Sequence, residues 1–135
     1  MKNAKATLEQ GLQVGAQEGK PISAKFEVED KKLRLSLYTV VTDSGYAEVL
    51  VDPEKGALMS AEKITDSGDL KAATDQRAAM DKANASLATA TERAVRENPG
   101  SRAVSVFPII ENGKPVANVT LLRGDSFKTA AEQLD

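Results

Sequence analysis

The chain contains no cysteine, no histidine and no tryptophan in 135 residues. Without cysteine there is no disulfide, no thiolate nucleophile and no zinc–thiolate site. That absence does not fix a compartment, because periplasmic and cytosolic proteins alike dispense with cysteine. Without histidine the chain lacks the side chain that most often moves protons near neutral pH and most often binds transition metals. Aromatic residues make up only 4%. The core must therefore be aliphatic, with Phe26, Tyr38, Tyr46, Phe107 and Phe127 as its few large pieces. Neither sign of charge dominates: 18 basic residues face 20 acidic ones, for a net charge of −2. Nucleic-acid binders carry a basic excess, so no nucleic-acid partner is expected. No apolar run approaches the roughly 18 residues of a membrane span. The first 20 residues also hold no apolar stretch of the signal-peptide kind.

What is present belongs to a folded protein: 41% hydrophobic and 28% charged residues. Ala4, Leu8, Leu12 and Gly15 recur at helical spacing and predict a helix over 3–18, ended at Gly19. Ile22, Ala24, Phe26 and Val28 alternate with polar residues, as in a half-buried strand. Leu33, Leu35 and Leu37 open a second strand that runs to Val41, after the turn Glu29-Asp30-Lys31-Lys32. Thr42-Asp43-Ser44-Gly45 reads as another turn, followed by a strand from Tyr46 to Val51. Asp52-Pro53 stops that strand, because proline cannot donate to a ladder. Three strands in succession with short turns predict an antiparallel meander.

The second half has a similar order. Asp66, Ser67 and Asp69 are candidate caps for one long helix reaching about Asn98. Its Ala-rich seam (Leu70, Ala73, Met80, Ala83, Leu87, Ala90, Ala94) reads as core, with an interaction face as the alternative. Asn98-Pro99-Gly100 ends it. Strands over 102–110 and 115–122 follow, joined by the tight-turn sequence Glu111-Asn112-Gly113-Lys114. Residues 127–134 suit either a helical face or a third strand, and are read as strand by parallel with the first half. Gly19-Lys-Pro-Ile-Ser-Ala-Lys-Phe lies against Gly100-Ser-Arg-Ala-Val-Ser-Val-Phe with glycine and phenylalanine at equal offsets. The expected fold is α+β: two repeats of a helix packed on an antiparallel three-stranded meander, linked by a long helix. The repeats are placed at 1–64 and 65–135, able to form one compact unit, with one face of each sheet covered by helices.

The stretches Gly19-Lys-Pro-Ile-Ser-Ala-Lys-Phe-Glu-Val-Glu-Asp, Leu33-Arg-Leu-Ser-Leu-Tyr and Tyr46-Ala-Glu-Val-Leu-Val-Asp-Pro-Glu-Lys-Gly resemble the PepSY domain. That family has a helix followed by three strands, the third commonly ending in a Val-Asp-Pro-x-x-Gly type of turn. The resemblance covers about residues 4–64. It is weaker over 70–135, where the terminal turn is absent. It implies a bacterial protein in a periplasmic or secreted setting and a role in binding or restraining peptidases, and it transfers no catalytic residue.

Candidate chemistry is sparse. Glu27, Glu48 and Asp52 lie on or beside neighbouring strands, where paired carboxylates do acid–base work or bind a hard cation. The plainer reading is solvated strand faces, with Asp52 capping its own turn. Asp66-Ser67-Gly68-Asp69 lacks the ligand spacing of a calcium loop and reads as a helix cap. Ser23, Ser36, Ser44 and Ser105 have no histidine to activate them, which leaves only a Ser–Lys pair. Gly113-Lys114 belongs to no phosphate loop. Asn84-Ala85-Ser86 and Asn118-Val119-Thr120 match a glycosylation sequon by chance. The expected function is therefore non-catalytic protein or peptide binding, with no cofactor and no metal. Glu27, Tyr38, Tyr46, Glu48 and Asp52 form the candidate surface, and a peptidase is among the partners implied. Small-ligand or divalent-cation binding between the repeats, and a structural homodimer, are the alternatives.

Overall fold

The computed structural model describes residues 4–42 and 45–135. The turn expected at 42–45 and the candidate Ser44 thus fall wholly or partly outside the described residues. The described chain forms helix α1 (Leu8–Gly15), strands β1 (Lys20–Glu29), β2 (Lys32–Val40), β3 (Tyr46–Val51) and β4 (Leu58–Lys63), helices α2 (Ser67–Asp81) and α3 (Leu87–Glu97), and strands β5 (Arg102–Glu111), β6 (Lys114–Arg123) and β7 (Ser126–Gln133).

All seven strands belong to one antiparallel sheet in the order β4-β3-β2-β1-β5-β6-β7. This corrects the expectation of two repeats, each with its own three-stranded meander. The first run of strands has four members, not three, and β1 joins β5 by direct pairing. That pairing is confined to Ala24↔Val106 and Lys25↔Ser105. By contrast, β1 and β2 pair from Lys20↔Val40 to Glu29↔Lys32. Register shifts between Pro21 and Ser23 and between Ala103 and Ser105 flank the junction. Bulges of this kind end regular pairing and turn the strand.

The long helix is also corrected. It is two helices, broken at 82–86. Ser86 caps α3 by accepting a hydrogen bond from the Thr89 N–H. The Leu134 carbonyl accepts from the Asn84 and Ala85 N–H groups at 2.6 and 2.9 Å. Good capping chemistry and a tertiary acceptor outweigh the continuous alanine spacing. The tail is strand β7, as read from the parallel between halves.

Successive strand residues face opposite sides, so Leu35 and Leu37 point one way and Ser36 and Tyr38 the other. Helix α1 lies on the leucine side at very close range. A Cβ at Gly11 would stand 2.7 Å from Leu35 Cδ2, and one at Gly15 would stand 2.7 Å from Leu37 Cδ2. Helix α3 packs beside α1 and across β5, β6 and β7. Helix α2 takes the opposite side, where the Tyr38 hydroxyl reaches Asp69. Helices therefore flank both faces, and the α2 side stays partly open, with Phe107 40% exposed. One aliphatic core runs through the sheet, including Leu8, Leu35, Leu37 and Val49 from the first half and Leu87, Val106, Val119 and Leu121 from the second.

The contact of α3 with β7 carries a pH dependence. Arg93 Nη2 donates to the Gln133 carbonyl at 2.7 Å, and Arg93 Nε stands 3.8 Å from Glu132 Oε1. Burial pushes the Glu132 carboxyl above its ordinary range, aided by a hydrogen bond and repulsion from Glu97, while Arg93 and Arg96 pull it down. The folded state thus holds this proton more tightly than the unfolded chain. Its contribution is full below the ordinary glutamate pKa and is lost as pH rises through the raised value. Glu132→Gln is expected to raise stability at pH 7 by about 0.5 kcal/mol, the scale of relieving one like-charge pair. The difference should vanish at pH 4, and thermal midpoints measured across that range would show it.

Candidate functional site

The face beneath α2 gathers most of the polar groups singled out in the sequence. Lys25 sits opposite Ser36 on one side and Ser105 on the other. The next row runs Ser23, Tyr38, Glu48. Ser36 Oγ donates to Glu48 Oε2 at 2.9 Å, and the Tyr38 hydroxyl donates to Asp69 Oδ1 at 2.8 Å. Lys25 Nζ pairs with Glu27 Oε2 at 3.1 Å. Ala72 and Gln76 of α2 roof a cavity of about 350 Å³ whose other walls include Ser23, Ser36, Tyr38, Ser105 and Phe107. The Gln76 Oε1 atom is fully buried and accepts no hydrogen bond among the described residues.

Electrostatics follow from this placement. Burial first, then the bond to Asp69 and the charges of Asp69, Glu48 and Glu27, push the Tyr38 hydroxyl well above the ordinary phenol range. Tyr38 therefore remains a donor at every physiological pH.

Of the five candidate residues, the structure sets Tyr38 and Glu48 side by side, with Glu27 on the same face two rows further along β1. It does not bring in the other two. Tyr46 is buried in the core, with its carbonyl accepting from the Ile64 N–H at 2.9 Å. Asp52 closes its own turn: its Oδ1 accepts from the Glu54 and Lys55 N–H groups at 2.8 and 3.1 Å. Those two backbone bonds, Lys55 first, hold its carboxyl below the usual range. Glu48 and Asp52 are four residues apart, roughly 13 Å along an extended chain, too far to share a cation. Among the described residues no group of three or more acidic side chains is placed to hold a metal.

Asp69 and Gln76 were not among the candidates. Asp69 read as one of three alternative caps. Asp66 takes that role, accepting from the Asp69 N–H at 3.0 Å, which leaves the Asp69 carboxylate for Tyr38. Lys25 does stand between two serines, the one geometry in which Ser–Lys chemistry was open. Its side chain, however, is 56% exposed and ion-paired to Glu27. An activated lysine needs a desolvated pocket, and this one has none.

Two other clefts are apolar. One, of about 440 Å³, has Leu33, Leu50, Val51, Pro53 and Met59 at its base and Glu29, Arg34 and Asp52 at its rim. It adjoins the outer strand β4, whose Leu58 and Met59 are 45% and 64% exposed. The ladder slips between Leu50 and Val51, which pair with Ser60 and Leu58. Met59 is the extra residue, and the bulge turns its side chain into the cleft. The other cleft, of about 380 Å³, lies between α1 and the α2–α3 link and is lined by Leu12, Met80, Leu87 and four alanines, Ala16, Ala83, Ala85 and Ala88. The Ala-rich seam thus divides: Ala73, Ala90 and Ala94 are buried, while Ala83 faces the cleft.

No family model, curated protein or solved structure matches the chain. Among the described residues no helix is long and apolar enough to cross a membrane.

Proposed function

We propose that this protein is a non-catalytic module that binds an extended polypeptide along β4. The observation that carries this reading is the pairing of an open strand edge with an apolar cleft. β4 ends the sheet, and among the described residues no strand pairs with its outer edge. An incoming strand would bond to that edge through its backbone, while alternate side chains would reach the Met59 cleft. The charged rim supplied by Glu29, Arg34 and Asp52 would select among sequences.

The resemblance of residues 4–64 to PepSY domains supports a partner of a particular kind, a metallopeptidase of the cell envelope restrained by this module. A periplasmic or secreted setting belongs to the same reading. The absence of histidine and cysteine, and an ion-paired Lys25, support the lack of catalysis.

The test is inhibition of a thermolysin-type metallopeptidase by the purified protein, alongside Met59→Lys. The substitution places a charge in the cleft and is expected to weaken inhibition at least tenfold. Because Met59 is exposed, fold stability should stay within about 0.5 kcal/mol. Absence of inhibition removes the peptidase as partner. Equal inhibition by Met59→Lys removes the β4 cleft as the site.

A further inference from the structure

The cleft between α1 and the α2–α3 link shares no lining residue with the β4 cleft, and its walls define a ligand of a different kind. Its floor is the aliphatic core itself: Leu12, Met80 and Leu87 are 2%, 3% and 2% exposed. The space above them persists because the residues around it include four alanines, whose side chains are too short to fill it. The walls are also fixed in place. Close packing of Gly11 and Gly15 on Leu35 and Leu37 sets α1 against the sheet, and the Leu134 carbonyl holds the link through the Asn84 and Ala85 N–H groups. A preformed apolar cleft of about 380 Å³ lies within the range of small-ligand sites.

Charge then narrows the ligand. Lys20 is the one charged residue in the lining, and among the described residues its ammonium makes no ion pair. No carboxylate lines the cleft to oppose it. Helix α3 begins at the same place, and its N-terminal end adds to the positive potential. An anionic head is therefore favoured over a neutral or cationic one. Hydrogen-bonding capacity narrows the ligand further. The Asn84 and Ala85 N–H groups are taken by Leu134, and Ser86 Oγ serves Thr89. A polypeptide would bring amides that need partners when desolvated, whereas an alkyl chain needs none.

We propose that this cleft binds a free alkyl carboxylate of medium chain length, with its chain on Leu12, Met80 and Leu87 and its carboxylate at Lys20. Apolar contact supplies most of the affinity, and Lys20 supplies the preference for an acid.

The experiment is an NMR titration of the methyl-labelled full chain with sodium octanoate, set against 1-octanol and octylammonium chloride at matched ionic strength. Octanoate is expected to shift the methyl signals of Met80 and Ala88 in a saturable way. Octanol should bind about three- to fivefold more weakly, the scale of one exposed ion pair, and octylammonium more weakly still. Lys20→Met should bring octanoate down to the affinity of octanol and leave octanol unchanged. Ala88→Leu fills the cleft and should weaken both at least tenfold. The three-probe comparison on the unsubstituted chain stands even if a variant misfolds. No saturable shift at Met80 with octanoate, equal or tighter binding of octylammonium, or an unchanged octanoate affinity in Lys20→Met would overturn the proposal. Tighter binding of N-acetyl-leucine than of octanoate would do so too, by assigning the cleft to the end of a polypeptide chain.

Discussion

Leu37→Ala is expected to lower unfolding free energy by about 2–5 kcal/mol, the range seen when a fully buried leucine is truncated. That is a large part of the roughly 5–15 kcal/mol that separates folded from unfolded in domains of this kind. The reason lies in how little the surroundings of Leu37 can relax. The side chain is fully buried. It sits in a row with Ala24 and Val49 on strands that are hydrogen-bonded on both sides. Above it stands Gly15, whose missing Cβ is what lets α1 come so near. Neither the alanine nor the glycine can reach into the space a truncated leucine leaves. The cavity therefore persists and adds its own cost to the lost transfer energy. Val28→Ala is the matching control. Val28 is 72% exposed near the β1–β2 turn, and its truncation should change stability by no more than about 0.5 kcal/mol. Urea unfolding of both variants, with the slope unchanged, would check the pair. A loss below about 1 kcal/mol at Leu37 would mean that α1 can settle onto the sheet, contrary to this packing.

The same row shows what the sequence disclosed and what it withheld. Alternation predicted β1, β2 and β3 because each buries one face, and the period-two pattern records that burial directly. Asn112-Gly113 marked its turn, and both residues have the positive φ that a tight hairpin needs. β4 left no such record. Nearly every residue of Leu58–Lys63 is exposed, so no alternation was there to read. The break between α2 and α3 was hidden for the opposite reason. Met80, Ala83 and Leu87 keep helical spacing across it, while the groups that end the helix are Ser86 and the distant Leu134 carbonyl. The junction of β1 with β5 joins residues some eighty positions apart through two register pairs, and no local pattern encodes it.

The candidate site was legible to a similar degree. Glu27, Tyr38 and Glu48 share one face of the sheet because they keep the same phase along paired strands. Tyr46 shares their parity on β3 but is buried, because burial depends on what the rest of the chain lays over a strand and not on phase alone. Gln76 could not be found from sequence. It is the polar break in a helical stripe, and its meaning depends on which sheet face α2 covers.

Arg102→Ala should cost about 2–4 kcal/mol, a larger effect than a half-exposed arginine usually carries. Arg102 opens β5, yet its guanidinium serves the other end of the chain. Nη1 donates to the Ala4 carbonyl and Nη2 to the Ala6 carbonyl, each at 2.8 Å. The guanidinium carbon stands 5.5 Å from the centre of the Phe26 ring, close enough for a cation–π contribution. Ala4 and Ala6 are both buried, so truncation strands two carbonyl oxygens away from water. Hydrogen bonds to a charged donor contribute about 1.5–3 kcal/mol each, and the loss falls below their sum because the charge no longer has to be desolvated. The segment held by Arg102 leads straight into α1. Thr7 Oγ1 accepts from the Gln10 N–H, and Gln10 Oε1 accepts from the Thr7 N–H, so the helix start is fixed locally. Arg102 fixes where that start sits on the sheet. Arg102→Lys should recover less than half the loss, because one ammonium cannot fork to two carbonyls as a planar guanidinium does. Hydrogen exchange gives the sharper readout. In Arg102→Ala the first turn of α1 and the Ala6 amide, which donates to the Pro53 carbonyl, should lose protection before the β2 and β6 amides do. Full rescue by lysine would reduce the interaction to simple charge. Unchanged protection at Ala6 would show that the capping box and the Pro53 contact hold the segment without Arg102.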